Sequence, residues 1–397
     1  MTSSHSPAIT NSNRIVLLDA LRGFALFGLF IVHMVEYFEL YWYKQEPGWV
    51  HTLVFSVFGG KAYAIFALLF GASLFIVMEK QARRGVNYTA RFTWRLVLLG
   101  ILGYLHGIIY SGDILQVLAV LGLPLLLVYR LSTFKAFCVA AFFLLQVPSI
   151  IYLLVSLNTT DVVAEVPAYY GMMGTTFEAL ANGSFYDVVS NNALHGQLAK
   201  WAFMLESGRA SNIIGFSILG MCLMRINALA NTQYGIKKSV LLIATLLLVA
   251  WGIDNIVLGA IKESGLTRMD NIIATSIFGN YHNAVLTAVL VLAFIVLYQI
   301  KKCGGMLQRL APCGRMSLTI YVMQSIVCVP LFYGYGLGWY ATIGQVPALL
   351  IGLLFWAVQL VLAHYWMLRY HYGPLEWLWR SATLMRSDVP LLRSKTN

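Results

Sequence analysis

Apolar residues along this chain come in long runs separated by short polar punctuation. Runs at 15–37, 52–78, 93–110, 113–130, 134–156, 210–227, 238–260, 271–299, 311–334 and 343–368 each approach or exceed the ~20 residues that a membrane-spanning helix needs. The pattern predicts an all-α, polytopic integral membrane protein of about ten transmembrane helices. Only Ser111-Gly112-Asp113 parts the third run from the fourth.

The polar punctuation carries its own signal. Lys80, Arg83, Arg84, Arg91 and Arg95 lie between the second and third runs, and Arg130 and Lys135 between the fourth and fifth. Arg225, Lys237 and Lys238 follow the sixth, Lys301, Lys302, Arg309 and Arg315 the eighth, and Arg369, Arg380, Arg386, Arg393 and Lys395 the tenth. The alternate loops are acidic or uncharged: Glu36, Glu39 and Glu46 against Lys44 in the first, and Asp161, Glu165, Glu178, Asp187 and Glu206 against Lys200 and Arg209 in the longest. Such alternation predicts both termini in the cytoplasm. It also explains the net charge of +11 without nucleic acid.

Composition agrees. The chain has 397 residues, 59% hydrophobic and only 11% charged, against roughly 25% charged in an ordinary soluble domain. Five scattered cysteines, an odd number without a CxxC pair, argue against a disulfide framework and against a zinc site, and no metal ligand is expected. The expected organisation is a disordered cytoplasmic N-terminus (1–13), a five-helix half (14–156), an outer loop with one or two interfacial helices (157–209), a second five-helix half (210–380) and a basic cytoplasmic tail (381–397). No signal peptide and no internal repeat are evident.

Ionisable residues at membrane depth cost several kcal/mol, so by default they are paired or functional. The first run carries Asp19, Arg22, His33 and Glu36. Asp19 and Arg22 are three apart and share a helix face. His33 lies eleven residues after Arg22, on the same stripe and ~16 Å further along a helix. Lys61 falls mid-run and needs an anion, either a protein carboxylate or a substrate group. His106 and Asp113 bracket the turn after the third run, where they and His33 and Glu36 could share one pocket. A carboxylate-oriented His is a general-base arrangement, although Asp113 would equally cap the next helix. His282 sits mid-span. Arg315 opens the ninth run as a phosphate ligand or a plain anchor, with Gln324 further along it.

These residues carry a resemblance. Arg14-Ile-Val-Leu-Leu-Asp19-Ala-Leu-Arg22-Gly23 resembles the opening of the YeiB-like membrane family, domain of unknown function 418. Gly60-Lys61…Phe66-Ala-Leu-Leu-Phe-Gly71, Gly112-Asp113-Ile-Leu, Gly314-Arg315-Met-Ser-Leu-Thr319…Gln324-Ser325 and Tyr372-Gly-Pro-Leu-Glu376-Trp-Leu-Trp-Arg380 extend it over nearly the whole chain. More distantly, the Arg22-(ten residues)-His33 spacing is similar to that of membrane acyltransferase family 3 and the heparan glucosaminide N-acetyltransferase superfamily. The resemblance implies acyl transfer across the membrane. A cytoplasmic acyl-CoA, acetyl-CoA foremost, would be the co-substrate, with no tightly bound cofactor. Arg22 would help hold it and His33 would be the base. YeiB-like members often carry Asn where this chain has His33, which sets this member apart.

The expected function is therefore acyl transfer from acyl-CoA to a sugar, a lipid-linked glycan or a small-molecule acceptor, in the bilayer of a bacterial cytoplasmic membrane. His33, Glu36, His106 and Asp113 are the catalytic candidates. Asp19, Arg22, Lys61, His282, Arg315 and Gln324 are the binding candidates. The alternative is a transporter or flippase using the same residues as a substrate or proton path. A homodimer is compatible with the sequence but not required by it.

Overall fold

The longest apolar runs become the longest helices. The structure, a computed structural model, describes residues 11–158, 165–229 and 235–393. The N-terminal residues through 10, Asp161 and Lys395 lie outside them. Among the described residues the chain is helical, and its one β feature is an isolated bridge between Tyr370 and Leu392.

Helix α1 (Asn11–Val35) is the hub. The span it begins, Val16–Trp42, has 67% of its apolar window buried inside the protein, against 6% for Ile236–Lys262 at the periphery. The second span breaks between α2 (Trp49–Val57) and α3 (Ala62–Ala82), where Gly60 takes the left-handed φ of 73° that a side chain disfavours. Then come α4 (Thr89–Ile109), the short α5 (Leu115–Leu121) and α6 (Leu123–Val128). Helices α7 (Thr133–Leu144) and α8 (Val147–Leu157) meet at a 42° bend, with Gln146 left-handed at the break.

Three helices follow in the long loop: α9 (Ala168–Asn182), α10 (Phe185–Ala193) and α11 (His195–Glu206). Ser184 and Asp187 start α10 with a reciprocal capping box. Leu180, Val188 and Ala199 are fully buried, so these helices pack onto the protein.

Helix α12 (Arg209–Arg225) threads the interior against α3 and α7. Small residues allow the close approach. A side chain on Gly71 would strike the Ser217 carbonyl, and one on Gly220 would strike that of Leu68. The rest comprises α13 (Ile236–Gly252), a π-helical turn at Ile253–Val257, α14 (Leu258–Lys262), α15 (Arg268–Gln299), α16 (Lys301–Gln308), α17 (Ala311–Arg315), α18 (Ser317–Phe332), α19 (Gln345–Arg369) and α20 (Pro374–Leu384).

Among the described residues, six segments are long and apolar enough to cross a membrane, or seven if α7 and α8 count as one span. Three of the ten expected spans fall short of that test. The run 113–130 divides into α5 and α6 beside Pro124, and 311–334 divides at Met316 into α17 and α18. With 17 residues, α12 measures about 25 Å, short of a ~30 Å hydrocarbon core. The cause is physical. A helix buried in protein is as apolar as one facing lipid, and hydropathy alone does not separate the two.

Candidate functional site

Beyond Val35 the chain passes through three consecutive left-handed residues: Tyr37 (φ 51°), Phe38 (φ 51°) and Glu39 (φ 84°). Each costs ~1–2 kcal/mol in a residue with a side chain, so packing must impose it. Phe38, fully buried, stacks on Phe332 at 6.0 Å and meets the Tyr110 ring edge-on at 5.2 Å. This turn folds Glu39 back over the end of α1, beside His33 and Glu36.

A polar network results. The Tyr110 hydroxyl lies 2.8 Å from His33 Nδ1 and donates to Glu39 Oε1 at 2.9 Å. His33 Nδ1 and Glu39 Oε1 are 3.8 Å apart. The Trp42 indole N–H donates to Glu36 Oε1 at 2.7 Å. His33, Glu36 and Glu39 each bring one potential metal-ligating atom within 4.8 Å of the other two. Sequence reading, guided by cysteine spacing, expects no metal here; only the fold brings this set together.

All three line a cavity of about 540 Å³. Its floor is Leu29, Ala62 and Ile213, its walls include Phe58, Tyr63 and Trp42, and α9 and α11 roof it with Tyr169, Phe177 and Phe203. Arg209 enters from the start of α12, its guanidinium 4.8 Å from the Phe203 ring and 5.1 Å from that of Tyr63. Lys200, buried on α11, donates to Gln116 Oε1 at 2.8 Å. Burial pulls its ammonium down to about 8, against the opposing pull of Asp113.

His106 and Asp113 form a separate buried pair, Nδ1 to Oδ1 at 2.8 Å. Asp113 also accepts from the Gln116 backbone N–H at 2.9 Å, so it caps α5 as well. Neither lines the cavity. Tyr110 stands between the two imidazoles, 5.4 Å from His33 and 5.9 Å from His106, ring to ring. Nε2 of His106 is buried without a partner among the described residues.

The opposite end of α1 is cationic. Arg22 donates to Asp19 at 3.0 Å, to the Gly314 carbonyl at 3.3 Å and to Ser73 Oγ at 2.8 Å. Its guanidinium is thus engaged inside the protein. Arg315, next to Gly314, is exposed. Arg95 stacks on Trp379 at 3.8 Å, and the exposed Arg380 lies over Tyr372 at 5.0 Å. Glu376 is spent accepting from Leu318 N–H, Thr319 N–H and Thr319 O–H at the start of α18.

An aromatic plug fills α1 between these ends. Phe24 meets Phe58 at 5.6 Å and Phe294 at 5.3 Å; Phe27 meets Phe58 at 5.7 Å and Trp356 at 5.4 Å. The cavity reaches this plug, since Phe58 and Leu29 both line it. Lys61 is buried beside the plug at the start of α3, donating to the Phe55 carbonyl at 3.0 Å. Among the described residues no carboxylate reaches it within ion-pair distance, and it does not line the cavity. His282 is half-buried on α15, whose next residue, Asn283, packs against Gly60. Gln324 bonds Gln359 at 2.9 Å between α18 and α19, a contact inside the protein core.

Of the catalytic candidates, the structure brings His33 and Glu36 together and sets His106 with Asp113 behind them. Sequence reading assigned no site role to Glu39, Tyr110, Lys200 or Arg209. Glu39 stands three after Glu36, and Tyr110 four after His106. Those spacings were the available signal, but the left-handed turn that unites them was not readable.

Comparison with known proteins follows the same division of the chain. Residues 14–163, which hold His33, Glu39, Tyr110 and the His106–Asp113 pair, match a family described as heparan-alpha-glucosaminide N-acetyltransferase, catalytic. Residues 223–386 match the protein family of unknown function DUF418. YxaH of Bacillus subtilis (strain 168), an uncharacterized protein, is 29% identical over 96% of this chain and 97% of its own. YeiB of Escherichia coli (strain K12), also uncharacterized, is 25% identical over 97% of this chain and 99% of its own. An uncharacterized 39.9 kDa protein from Bacillus acidopullulyticus is 23% identical over 98% and 99%. This chain is thus a multi-pass membrane protein similar along nearly its whole length to YxaH and YeiB, with a C-terminal segment similar to the DUF418 family and an N-terminal segment similar to an N-acetyltransferase catalytic family.

Proposed function

We propose that the protein transfers an acyl group from acyl-CoA to an acceptor bound in the His33 cavity. One observation carries the reading: His33 lines a cavity of about 540 Å³, with its Nδ1 held by Tyr110, inside the segment similar to the acetyltransferase. An imidazole with one nitrogen engaged and the other available is suited to general-base work.

The orientation follows the positive-inside rule, with the Arg22 end of α1 in the cytoplasm and the His33 end outward, in a bacterial cytoplasmic membrane. The phosphates of CoA, acetyl-CoA foremost, meet the cations at the inner end. Arg315 and Arg380 are exposed there, while Arg22 holds α1, α3 and α17 in place. The acceptor occupies the cavity as a sugar, a lipid-linked glycan or a small amine. His33 takes the proton of its hydroxyl or amine. The acceptor atom attacks the thioester carbonyl, the C–S bond breaks, and the CoA thiolate recovers a proton. Since the plug separates the two ends, Phe24 and Phe58 must part for the donor's arm to reach His33. Asp113, committed to His106, does not orient His33.

The test is binding and turnover of an acyl-CoA panel on purified protein, comparing wild type with His33→Ala and Arg315→Ala. Retained binding with loss of acyl transfer in His33→Ala supports the reading. Absence of binding by any acyl-CoA to folded wild type overturns it. Liposome transport would then test the transporter alternative, which no matched family or relative names.

A further inference from the structure

We propose that Glu39 and Tyr110 act as positioning residues that fix the tautomer of His33, the imidazole carrying its proton on Nδ1 and presenting Nε2 as the base. The idea rests on the proposed role of His33 but makes a claim about the ground state that stands apart from any turnover.

The available protons fix the direction of the hydrogen-bond chain. An ionised carboxylate only accepts hydrogen bonds, and a phenol has a single proton to give. The Tyr110 proton goes to Glu39 Oε1 at 2.9 Å. The same phenol oxygen lies 2.8 Å from His33 Nδ1. Two lone pairs cannot share that distance, so Nδ1 supplies the proton. A neutral imidazole with Nδ1–H has its free lone pair on Nε2.

The opposite direction of the chain requires a proton on Glu39 and Nε2–H on His33. In the proposed relay Glu39 is the ionised acceptor of the Tyr110 hydroxyl. Arg209 lines the same cavity as a counter-charge to that carboxylate. Glu36 is served by a different donor, Trp42, and does not compete for Tyr110.

The relay also gives the strained turn a purpose. Without left-handed Tyr37, Phe38 and Glu39, the residue three after Glu36 would continue up the helix, away from His33. The result is a carboxylate acting on an imidazole through a phenol, where a catalytic triad uses direct contact.

The experiment is nitrogen NMR of the full-length protein in lipid nanodiscs, with labelled histidine and His33 assigned by its loss in His33→Gln. Wild type should show a His33 Nδ1–H majority near neutral pH. Tyr110→Phe and, independently, Glu39→Gln should turn that majority into a minority while the signals of the other histidines persist. A wild-type Nε2–H majority would overturn the proposal, as would an unchanged His33 tautomer in both folded variants. If the tautomer responds but no acyl-CoA is turned over, the relay stands and acyl transfer falls. If turnover is found and the tautomer does not respond, the reverse holds.

Discussion

The two ends of α1 differ in how they spend their charge. At the Asp19 end the cation inside the protein is fully engaged: Arg22 ties three elements together through Asp19, Ser73 and Gly314, and the exposed cations stand around it. At the His33 end the ionisable groups face a cavity, and their bonds orient one another more than they hold helices together. The same helix therefore carries a structural ion pair and a cavity-facing cluster of ionisable groups ~16 Å apart. Removing a charge at one end should break the fold, and removing one at the other should break only the chemistry.

The largest effect expected is on the chemistry. His33→Ala should lower acyl transfer by ~10²–10⁴-fold, the usual share of a positioned base, while melting within a few degrees of wild type. A melting collapse would return His33 to a merely structural role. Next comes Arg22→Ala. It strands Asp19, whose side chain is 12% exposed, and leaves two further acceptors unserved. Breaking such a pair from one side costs about 3–5 kcal/mol. The expected readout is a strong loss of thermal stability before any question of substrate. A stable Arg22→Ala protein would mean that this end is no more structural than the other.

Lys200 gives a pH test on the cavity roof. Its folded pKa of about 8 lies below the ordinary 10.5, so the unfolded state binds the proton more tightly. Stability must then rise with pH between about 8 and 10.5, by about 3 kcal/mol for this group. Below pH 8 the buried ammonium carries its full penalty. Melting temperature followed from pH 7.5 to 10.5 should climb more steeply in wild type than in Lys200→Met. Parallel curves would show that the ammonium is better solvated than its burial implies.

What could be read from the sequence was whatever depends on spacing along one element. Asp19 and Arg22, three apart, are an ion pair at 3.0 Å. His106 and Asp113, joined by a short turn, meet at 2.8 Å. The membrane character followed from run length and charge alternation. What stayed hidden depends on packing between elements. Nothing in Tyr37-Phe38-Glu39 announces three left-handed residues, because the deciding contacts come from Phe332 and Tyr110, far along the chain. The break at Gly60 turns Lys61 to a backbone carbonyl where a carboxylate partner was a natural expectation. Of the ten expected spans, six or seven are long and apolar enough to cross a bilayer among the described residues, and the remainder are shorter apolar helices that hydropathy alone does not distinguish from them.

The smallest effect bears most directly on which end admits the donor. Arg315 is exposed and has no hydrogen bond to lose among the described residues, so Arg315→Ala should leave the fold intact where Arg22→Ala does not. An exposed cation facing a phosphate contributes about 1 kcal/mol, roughly fivefold in Kd. Screening shortens its reach as salt rises, since the Debye length falls from ~10 Å at 0.1 M to ~3 Å at 1 M. The deficit of Arg315→Ala in CoA affinity should therefore be largest at low ionic strength and shrink toward nothing in high salt. A salt-independent deficit would indicate a contact inside the protein and not a surface charge. No deficit at low salt, with His33→Ala still inactive, would mean that the donor approaches His33 by another route, and the cationic end of α1 would be left as an anchor alone.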